Sequence, residues 1–270
     1  MFFGWNGTGN TLTGLVGKMR EKTKEAASNL PSRATESAMP SGSRARPAAG
    51  GNANTRAYLL LKQAVFSGRF GPSQTITLRM VTEFAGVGEM PAREALKRLI
   101  SEGAFEAMPN RSARVPVLAR EEIAQLCELR VLLESKAAFL AAQNIDLHQI
   151  EQLRRMHEGM ILCAANGDLQ EYKKLNMAFH FEIYRIAGNK PLADLIEALW
   201  LRMAPFISRT ISWVKTVPGR FDEVATQRHG ELLSAFQTRN AEAAHLAMEL
   251  DLSDIHETEG YWDSIAAAPK

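Results

Sequence analysis

From Arg120 onward, apolar residues recur with the three-to-four-residue spacing of amphipathic helices. Six helical segments are predicted at residues 120–143, 146–166, 168–187, 191–214, 218–238 and 241–258. The connections between them, such as NGD and GNKP, are short. Because short connections favour neighbouring antiparallel helices, the pattern predicts a packed helical bundle.

Before Arg120 the pattern changes to three shorter helical segments followed by two strand-like segments. Helices are predicted in TRAYLLLKQAVFSG, TLRMVTEFAG and PAREALKRLISEG, with Pro91 opening the third and Gly103 ending it. The sequence AFEAMPNRSARVPV then predicts two short strands with a turn at Pro109 and Asn110. Three helices and a hairpin, in this order, are typical of a winged helix-turn-helix.

The predicted fold is therefore mainly α: a winged helix-turn-helix at residues 54–117, followed at 118–258 by an all-α bundle of six or seven helices. Residues 1–53 are rich in small and polar residues, and we expect a disordered tail there. Residues 259–270 are assigned to a C-terminal tail. No apolar run approaches the ~18 residues that a membrane helix needs, so no membrane partner is expected.

The chain carries neither a secretory signal pattern nor a metal-like cysteine pair. Its two cysteines, Cys127 and Cys163, are far apart in sequence, as in a reduced cytoplasmic protein. We therefore expect a cytoplasmic location.

Charge divides the chain as the periodicity does. Residues 54–117 hold nine Lys/Arg and five Asp/Glu, a net charge of +4, whereas residues 118–258 hold fifteen and twenty, a net charge of −5. A basic unit joined to a larger acidic one suggests two roles in one chain, and the basic unit is a candidate for binding a polyanion. The alternative is that a net charge of +4 lies within the ordinary variation among protein segments of this length.

The second helix of a helix-turn-helix enters the major groove of DNA with its N-terminal end. Here that helix carries Arg93, the best candidate for a guanine contact because a guanidinium pairs with O6 and N7 together. Further contacts to base edges or phosphates are predicted for Thr77, Arg79, Lys97, Arg111 and Arg114. The alternative interpretation is that these side chains form an ordinary solvated face.

The stretch FSGRFGPSQTITLRMVTEFAGVGEMPAREALKRLISEGAFEAMPNRSARV resembles the DNA-binding domain of GntR-type bacterial transcription regulators. By position, the resemblance implies that Arg79 and Arg93 contact operator DNA. The chain departs from the family pattern at residues 88–90, where Gly-Glu-Met replaces Ser-Arg-Thr. Glu89 is therefore expected to repel phosphate or to accept from a cytosine amino group, which predicts a different operator sequence.

Polar residues occupy apolar faces of four bundle helices: Arg130, Asn176 with His180, His229, and Asp251. An unpaired buried ion or amide costs several kcal/mol, so these groups should contact one another. Two imidazoles, a carboxylate and an amide oxygen suit Zn²⁺ or another divalent metal. The alternative is a buried hydrogen-bond network without metal.

The bundle sequences EEIAQLCELRVLLESKAAFLAAQ, GDLQEYKKLNMAFHFEIYRIAGN and RHGELLSAFQTRNAEAAHLAMELDL resemble the FCD effector domain of FadR-like GntR regulators. The resemblance places the family's metal ligands on Asn176, His180, His229 and Asp251, and two of the four keep the family's residue type. Arg130 matches the family's effector-facing arginine and suits a carboxylate. Asn189 is a second effector-binding candidate.

These observations predict a homodimeric transcription regulator with no enzymatic activity, and more specifically a repressor. It would bind a palindromic double-stranded DNA operator, a small organic acid effector and a divalent metal, zinc being the first choice. One alternative is a metal-dependent enzyme built on the helical domain. A second is an architectural DNA-binding protein without a ligand.

Overall fold

The computed structural model describes residues 49–109, 112–217, 227–253 and 260–266. The first part of this region holds three helices and three short strands. These are α1 (Ala49–Phe66), β1 (Thr75–Ile76), α2 (Leu78–Ala85), α3 (Glu89–Ser101), β2 (Glu106–Met108) and β3 (Ser112–Arg114). The strands form an antiparallel sheet in the order β1-β3-β2. The prediction of a mainly helical fold that opens with a winged helix-turn-helix is confirmed.

The helix-turn-helix is delimited by local caps. Thr77 accepts a hydrogen bond from the Met80 amide at the start of α2, and Gly86 ends α2 with a positive φ of 61°. The next helix was predicted to start at Pro91, but α3 begins earlier, at Glu89, with Gly88 as its N-cap. Pro91 is tolerated within the first turn because the amides there have no partner inside the helix.

The remaining described residues form seven helices, six of which lie within the predicted bundle range 118–258. They are α4 (Arg120–Asn144), α5 (Leu147–Asn166), α6 (Leu169–Ile186), α7 (Lys190–Val214), α8 (His229–Gln237), α9 (Ala241–Ser253) and α10 (Tyr261–Ala266). The segment predicted at 218–238 is described only from residue 227, and the end of the one predicted at 241–258 lies outside the described residues. None of the helices described has the length and apolar character needed to cross a bilayer.

The bundle core is built on a strip of alanines. Ala137, Ala138, Ala141 and Ala142 of α4 are fully buried, and α4 packs extensively along α9. Small side chains allow the two helices to pack closely along each other. This packing places Arg130 and Asp251 on the same side of the bundle.

Both predicted tails were assigned too many residues. Helix α1 begins at Ala49, inside the predicted tail 1–53. Residues 259–270 include α10, whose Tyr261 is buried and lies with its ring centroid 5.7 Å from that of Trp213. A six-residue helix has too few positions to show a helical period, so only its packing against α7 identifies it.

Helix α7 contributes to both cores. Its residues Leu201 and Ala204 lie in the core of the winged helix, whereas Ile196 and Trp200 lie in the core of the bundle. Lys62 of α1 forms an ion pair with Glu197 of α7. The two functional parts of the chain therefore share one helix and are packed directly on each other.

Candidate functional site

The bundle encloses a cavity of about 90 Å³, and four of its helices direct the polar side chains predicted from the sequence into it. Arg130 comes from α4, Asn176 and His180 from α6, His229 from α8 and Asp251 from α9. The remaining described lining residues are Cys127, Tyr172, Trp200, Met203, Ile207, Thr210, Ile211, Val214, Leu252 and Tyr261. All five residues predicted from the polar positions in apolar stripes line this single cavity.

His180, His229 and Asp251 converge on one point. The two Nε2 atoms of the histidines are 3.4 Å apart, and the Asp251 carboxylate lies 3.4 Å from His180 Nε2 and 3.7 Å from His229 Nε2. One ligand atom from each residue lies within 4.8 Å of the other two. Tetrahedral zinc with bonds of about 2.0–2.1 Å holds its ligand atoms roughly 3.3–3.4 Å apart. The three side chains therefore fit a divalent metal.

His180 is in the chemical form that binds metals. Burial lowers its pKa well below the ordinary histidine value, and His229 and Arg130 beside it lower the pKa further. The ring is therefore neutral at pH 7, and its contact with Asp251 is not an ion pair. A neutral imidazole keeps a nitrogen lone pair available for a metal.

A second layer of hydrogen bonds fixes which nitrogen of His180 faces the cluster. Tyr184 donates to the Glu134 carboxylate, and the Tyr184 oxygen lies 3.3 Å from His180 Nδ1. Burial raises the pKa of Tyr184 well above its usual value, so the phenol keeps its proton. The tyrosine oxygen then accepts from Nδ1–H, which leaves Nε2 unprotonated towards His229 and Asp251.

Glu134 is the centre of this second layer. It is fully buried and accepts from Arg130 Nε at 2.7 Å and from Trp200 Nε1 at 3.1 Å, in addition to Tyr184. The Arg130 guanidinium also lies 5.0 Å from the centre of the Trp200 ring. Arg130 is thereby held in a fixed orientation at the cavity wall.

On the winged helix, the predicted contact residues lie on or beside α2 and α3. Arg79 is well exposed and pairs with Glu83, and Lys97 pairs with Glu94. Arg93 is closest to Glu89, with 3.8 Å between Nη2 and Oε2, and its Nε is buried without a hydrogen-bond partner among the described residues. The Glu89 carboxylate thus lies beside the guanidinium predicted to read a base.

The hairpin supplies a further basic side chain. Arg114 on β3 pairs with Glu106 on β2 at 2.8 Å, directly across the strand register. Arg111, the other predicted hairpin contact, lies outside the described residues. The described part of the surface therefore contains Thr77, Arg79, Glu89, Arg93, Lys97 and Arg114 of the predicted set.

Two family models match the chain in the order of its two parts. Residues 53–115 match the bacterial regulatory proteins of the gntR family, and residues 125–254 match the FCD domain. Together the two matches cover most of the chain, and they coincide with the winged helix and the bundle. The chain belongs to the GntR family.

Known transcription regulators are also similar to this GntR-family chain in sequence and in fold. The transcriptional regulator McbR of Escherichia coli (strain K12) is 28% identical over 145 residues, covering 54% of this chain and 66% of McbR. A probable D-xylose utilization operon transcriptional repressor of Paenarthrobacter nicotinovorans is 26% identical over 163 residues, covering 60% of this chain and 69% of that protein. The matched region thus spans just under two thirds of McbR. The solved structure of E. coli McbR/YncC shares the fold, with a TM-score of 0.68 at 23% identity, covering 75% of this chain and 94% of that one.

The structure does not place Asn189 in the effector cavity. Its side chain accepts from the Leu192 amide at 3.1 Å and so caps α7, and the residue is exposed. An Asn just before a helix that begins with Lys-Pro is a capping residue, so the position of Asn189 gives the predicted effector contact no support.

Three residues of this site were not predicted from the sequence. Glu134 lies four residues after Arg130 and Tyr184 four residues after His180, so each shares a helix face with a residue already identified. That spacing was an available signal for both. Trp200 carries no comparable signal, because an indole in an apolar stripe looks like any core residue and only its hydrogen bond to Glu134 reveals its role.

Proposed function

We propose that this chain is a DNA-binding transcription regulator, more specifically a repressor, whose operator affinity is controlled by a small organic acid bound in the helical domain. One observation carries the first half of the proposal: a winged helix-turn-helix that matches the gntR family over residues 53–115. The similarity to a probable operon repressor supports the direction of control.

DNA contact is assigned to the N-terminal part of α3 and the sheet beside it. Arg93 is assigned the base-reading role because it lies in the N-terminal part of α3, and the ion pair that it makes within the described part of the chain is a long one, with 3.8 Å between Nη2 and Glu89 Oε2. Binding DNA exchanges that partner for acceptors on a base edge. Arg79, Arg114 and the Thr77 hydroxyl position the domain on the phosphates.

Arg93→Ala tests the base-reading role. We expect it to weaken binding to an operator selected from a random-sequence pool and to lower the ratio of operator to random-duplex affinity, by about 1–3 kcal/mol of discrimination. Lys97→Ala, at a residue proposed to contact a phosphate, is the control: it should weaken both duplexes alike and reduce the salt dependence by about 0.9 in slope. Fluorescence anisotropy over a salt series measures both quantities. An unchanged affinity ratio for Arg93→Ala would show that Arg93 does not read a base.

For the cavity, the proposal is a divalent metal, with zinc as the first choice, held by His180, His229 and Asp251 with Asn176 as a further ligand. The spacing of the three donor atoms and the neutrality of His180 support it. A bound metal would supply a positive charge that attracts a ligand oxygen. The chain's own contribution is the fixed orientation of His180 through Tyr184 and Glu134.

Control of DNA affinity requires that the cavity and the winged helix respond to each other. A continuous set of aromatic contacts joins them: the Phe181 ring lies 5.3 Å from that of Trp200, which borders the cavity, and 5.3 Å from that of Phe66 in α1. An effector that shifts Trp200 would change the packing of α1 through Phe181. These contacts support linkage between effector and operator binding.

The regulator is proposed to act as a homodimer, since a palindromic operator requires two recognition helices related by a twofold axis. Leu129 and Leu132 of α4 are exposed on one face of the helix and are candidates for the dimer surface. We expect Leu132→Glu to shift the full chain towards monomer in sedimentation velocity at micromolar concentration. Leu147→Glu makes the same change at an exposed position of α5 and should leave the dimer intact. A monomeric wild-type chain would contradict the dimer.

A further inference from the structure

Met90 is a large apolar side chain that is exposed at the start of the second helix of the helix-turn-helix. It is the second residue of α3, and 62% of it is accessible to solvent. The buried residues of the same helix are Ala92, Ala95, Leu96 and Leu99. Because each residue turns an α-helix by about 100°, Met90 lies on the side opposite this buried face. Met90 is therefore not part of the core that holds α3 in the winged helix.

Met90 shares its face of α3 with two residues that are proposed to contact DNA. Arg93 and Lys97 follow it by three and seven residues, a spacing that places all three on one side of the helix. The N-terminal end of this helix is the part that contacts base edges in a helix-turn-helix. An exposed apolar side chain thus lies beside the arginine assigned to a base, at the end of α3 that enters the major groove.

The chemistry of the major groove supplies one matching group. Thymine is the base that presents a methyl group there, whereas the other base edges present hydrogen-bond donors and acceptors. Contact between this methyl group and Met90 removes apolar surface of both from water, which is favourable. A polar base edge that met the same side chain would lose water without gaining a hydrogen bond. A methionine at this position therefore discriminates in favour of thymine.

We infer that Met90 is a specificity-determining residue that reads the methyl group of a thymine in each half-site of the operator. The unbranched, flexible thioether side chain suits this role because it can adapt to the position of the methyl group. Three residues advance α3 by roughly 4.5 Å, slightly more than the ~3.4 Å between successive bases of a strand. The thymine is thus expected within about two base pairs of the guanine that Arg93 reads. This inference rests on the proposed function, since it assumes that α3 enters the major groove.

Replacing thymine with uracil in the operator tests the contact without altering the hydrogen-bonding groups of the base. The operator is selected from a random-sequence pool with the full wild-type chain, and the guanine is located as the base at which Arg93→Ala loses discrimination. Each thymine near it is then replaced by uracil, and affinity is measured by fluorescence anisotropy. At one position in a half-site, uracil should weaken wild-type binding by roughly fourfold, the loss expected for one buried methyl group.

Two variants of Met90 should remove this dependence on the methyl group. Met90→Ala is expected to bind the thymine operator more weakly and to lower the thymine-to-uracil affinity ratio from roughly fourfold to about one. Met90→Gln keeps the length of the side chain but places an amide at its end, so it should lose the ratio as well. Leu59→Ala is the control, because it removes an apolar side chain that is 55% exposed on α1, outside the helix-turn-helix. This control should keep the wild-type ratio, and circular dichroism checks that each variant is folded.

Three results would overturn the inference: a selected operator without thymine near that guanine, a wild-type chain that binds the uracil and thymine operators equally, or an unchanged ratio in both Met90 variants. Each of these leaves specific DNA binding intact and so leaves the proposed function standing. A wild-type chain that selects no sequence from the pool would instead contradict the regulator function itself.

Discussion

Replacing Gly68 with alanine tests the contact between the winged helix and the bundle. Gly68 follows α1 with a φ of +66°, and a Cβ at this position would overlap the Cβ and Oγ atoms of Ser208 on α7. The Ser208 hydroxyl in turn accepts from Lys173 Nζ at 2.8 Å. Gly68 therefore permits α1 to approach the helix that both cores share.

The expected cost has two parts. A left-handed conformation costs a residue with a Cβ roughly 1–2 kcal/mol, and inserting a methyl group into a packed contact costs typically ~1–3 kcal/mol. Gly86 is the matched control, because its φ of +61° is similar but no heavy atom lies within 4 Å of its added Cβ. Gly86→Ala should show only the first part, so Gly68→Ala should be less stable than Gly86→Ala by ~1–3 kcal/mol.

Urea unfolding followed by tryptophan fluorescence measures this difference, provided that the three proteins have similar m values. Each kcal/mol corresponds to roughly 2–4 °C in melting temperature for a chain of this size. Ser208→Gly should recover part of the loss in the Gly68→Ala background but not in the Gly86→Ala background. Equal destabilisation by the two glycine substitutions would refute close packing of Gly68 on Ser208.

Two further predictions concern the cavity. His180→Ala and His229→Ala should each abolish the rise in melting temperature that zinc gives the wild-type chain; a ligand at one hundred times its Kd stabilises by about 2.7 kcal/mol, and a thermal scan with and without zinc measures it. Asp251→Asn should weaken zinc binding more than Asn176→Ala does, because it removes the only carboxylate among the proposed ligands, and a competition titration against a chelator gives both affinities. A larger loss for Asn176→Ala would contradict the proposed ligand set.

The helices could be predicted where the hydrophobic periodicity and the capping residues indicated the same boundaries. Asp146 and Asp168 cap α5 and α6, and Gly167 ends α5, so these boundaries could be predicted to within a few residues. Strand β1 was missed because two residues, Thr75 and Ile76, are too few to show alternation, and they form a strand only by pairing with β3. Such elements are defined by tertiary contacts that a local pattern does not contain.

The residues that face the proposed metal site were predicted from the sequence, whereas the residues that hydrogen-bond to them were not. His180, His229 and Asp251 stand out because a polar side chain in an apolar stripe must find a partner. Glu134 neutralises the charge of Arg130, so the guanidinium is not a free anchor for a ligand carboxylate. This pairing depends on rotamers that sequence does not fix. Asn189 shows the reverse case, since a local capping role accounts for an Asn at this position.

The claim that the buried polar cluster is a metal-based sensor site is tested most directly by elemental analysis of the full chain purified without a histidine tag. We expect about one equivalent of zinc or another divalent metal per chain, and its loss in His180→Ala. A wild-type chain that contains no metal, and whose melting temperature does not change when zinc is added, would contradict it.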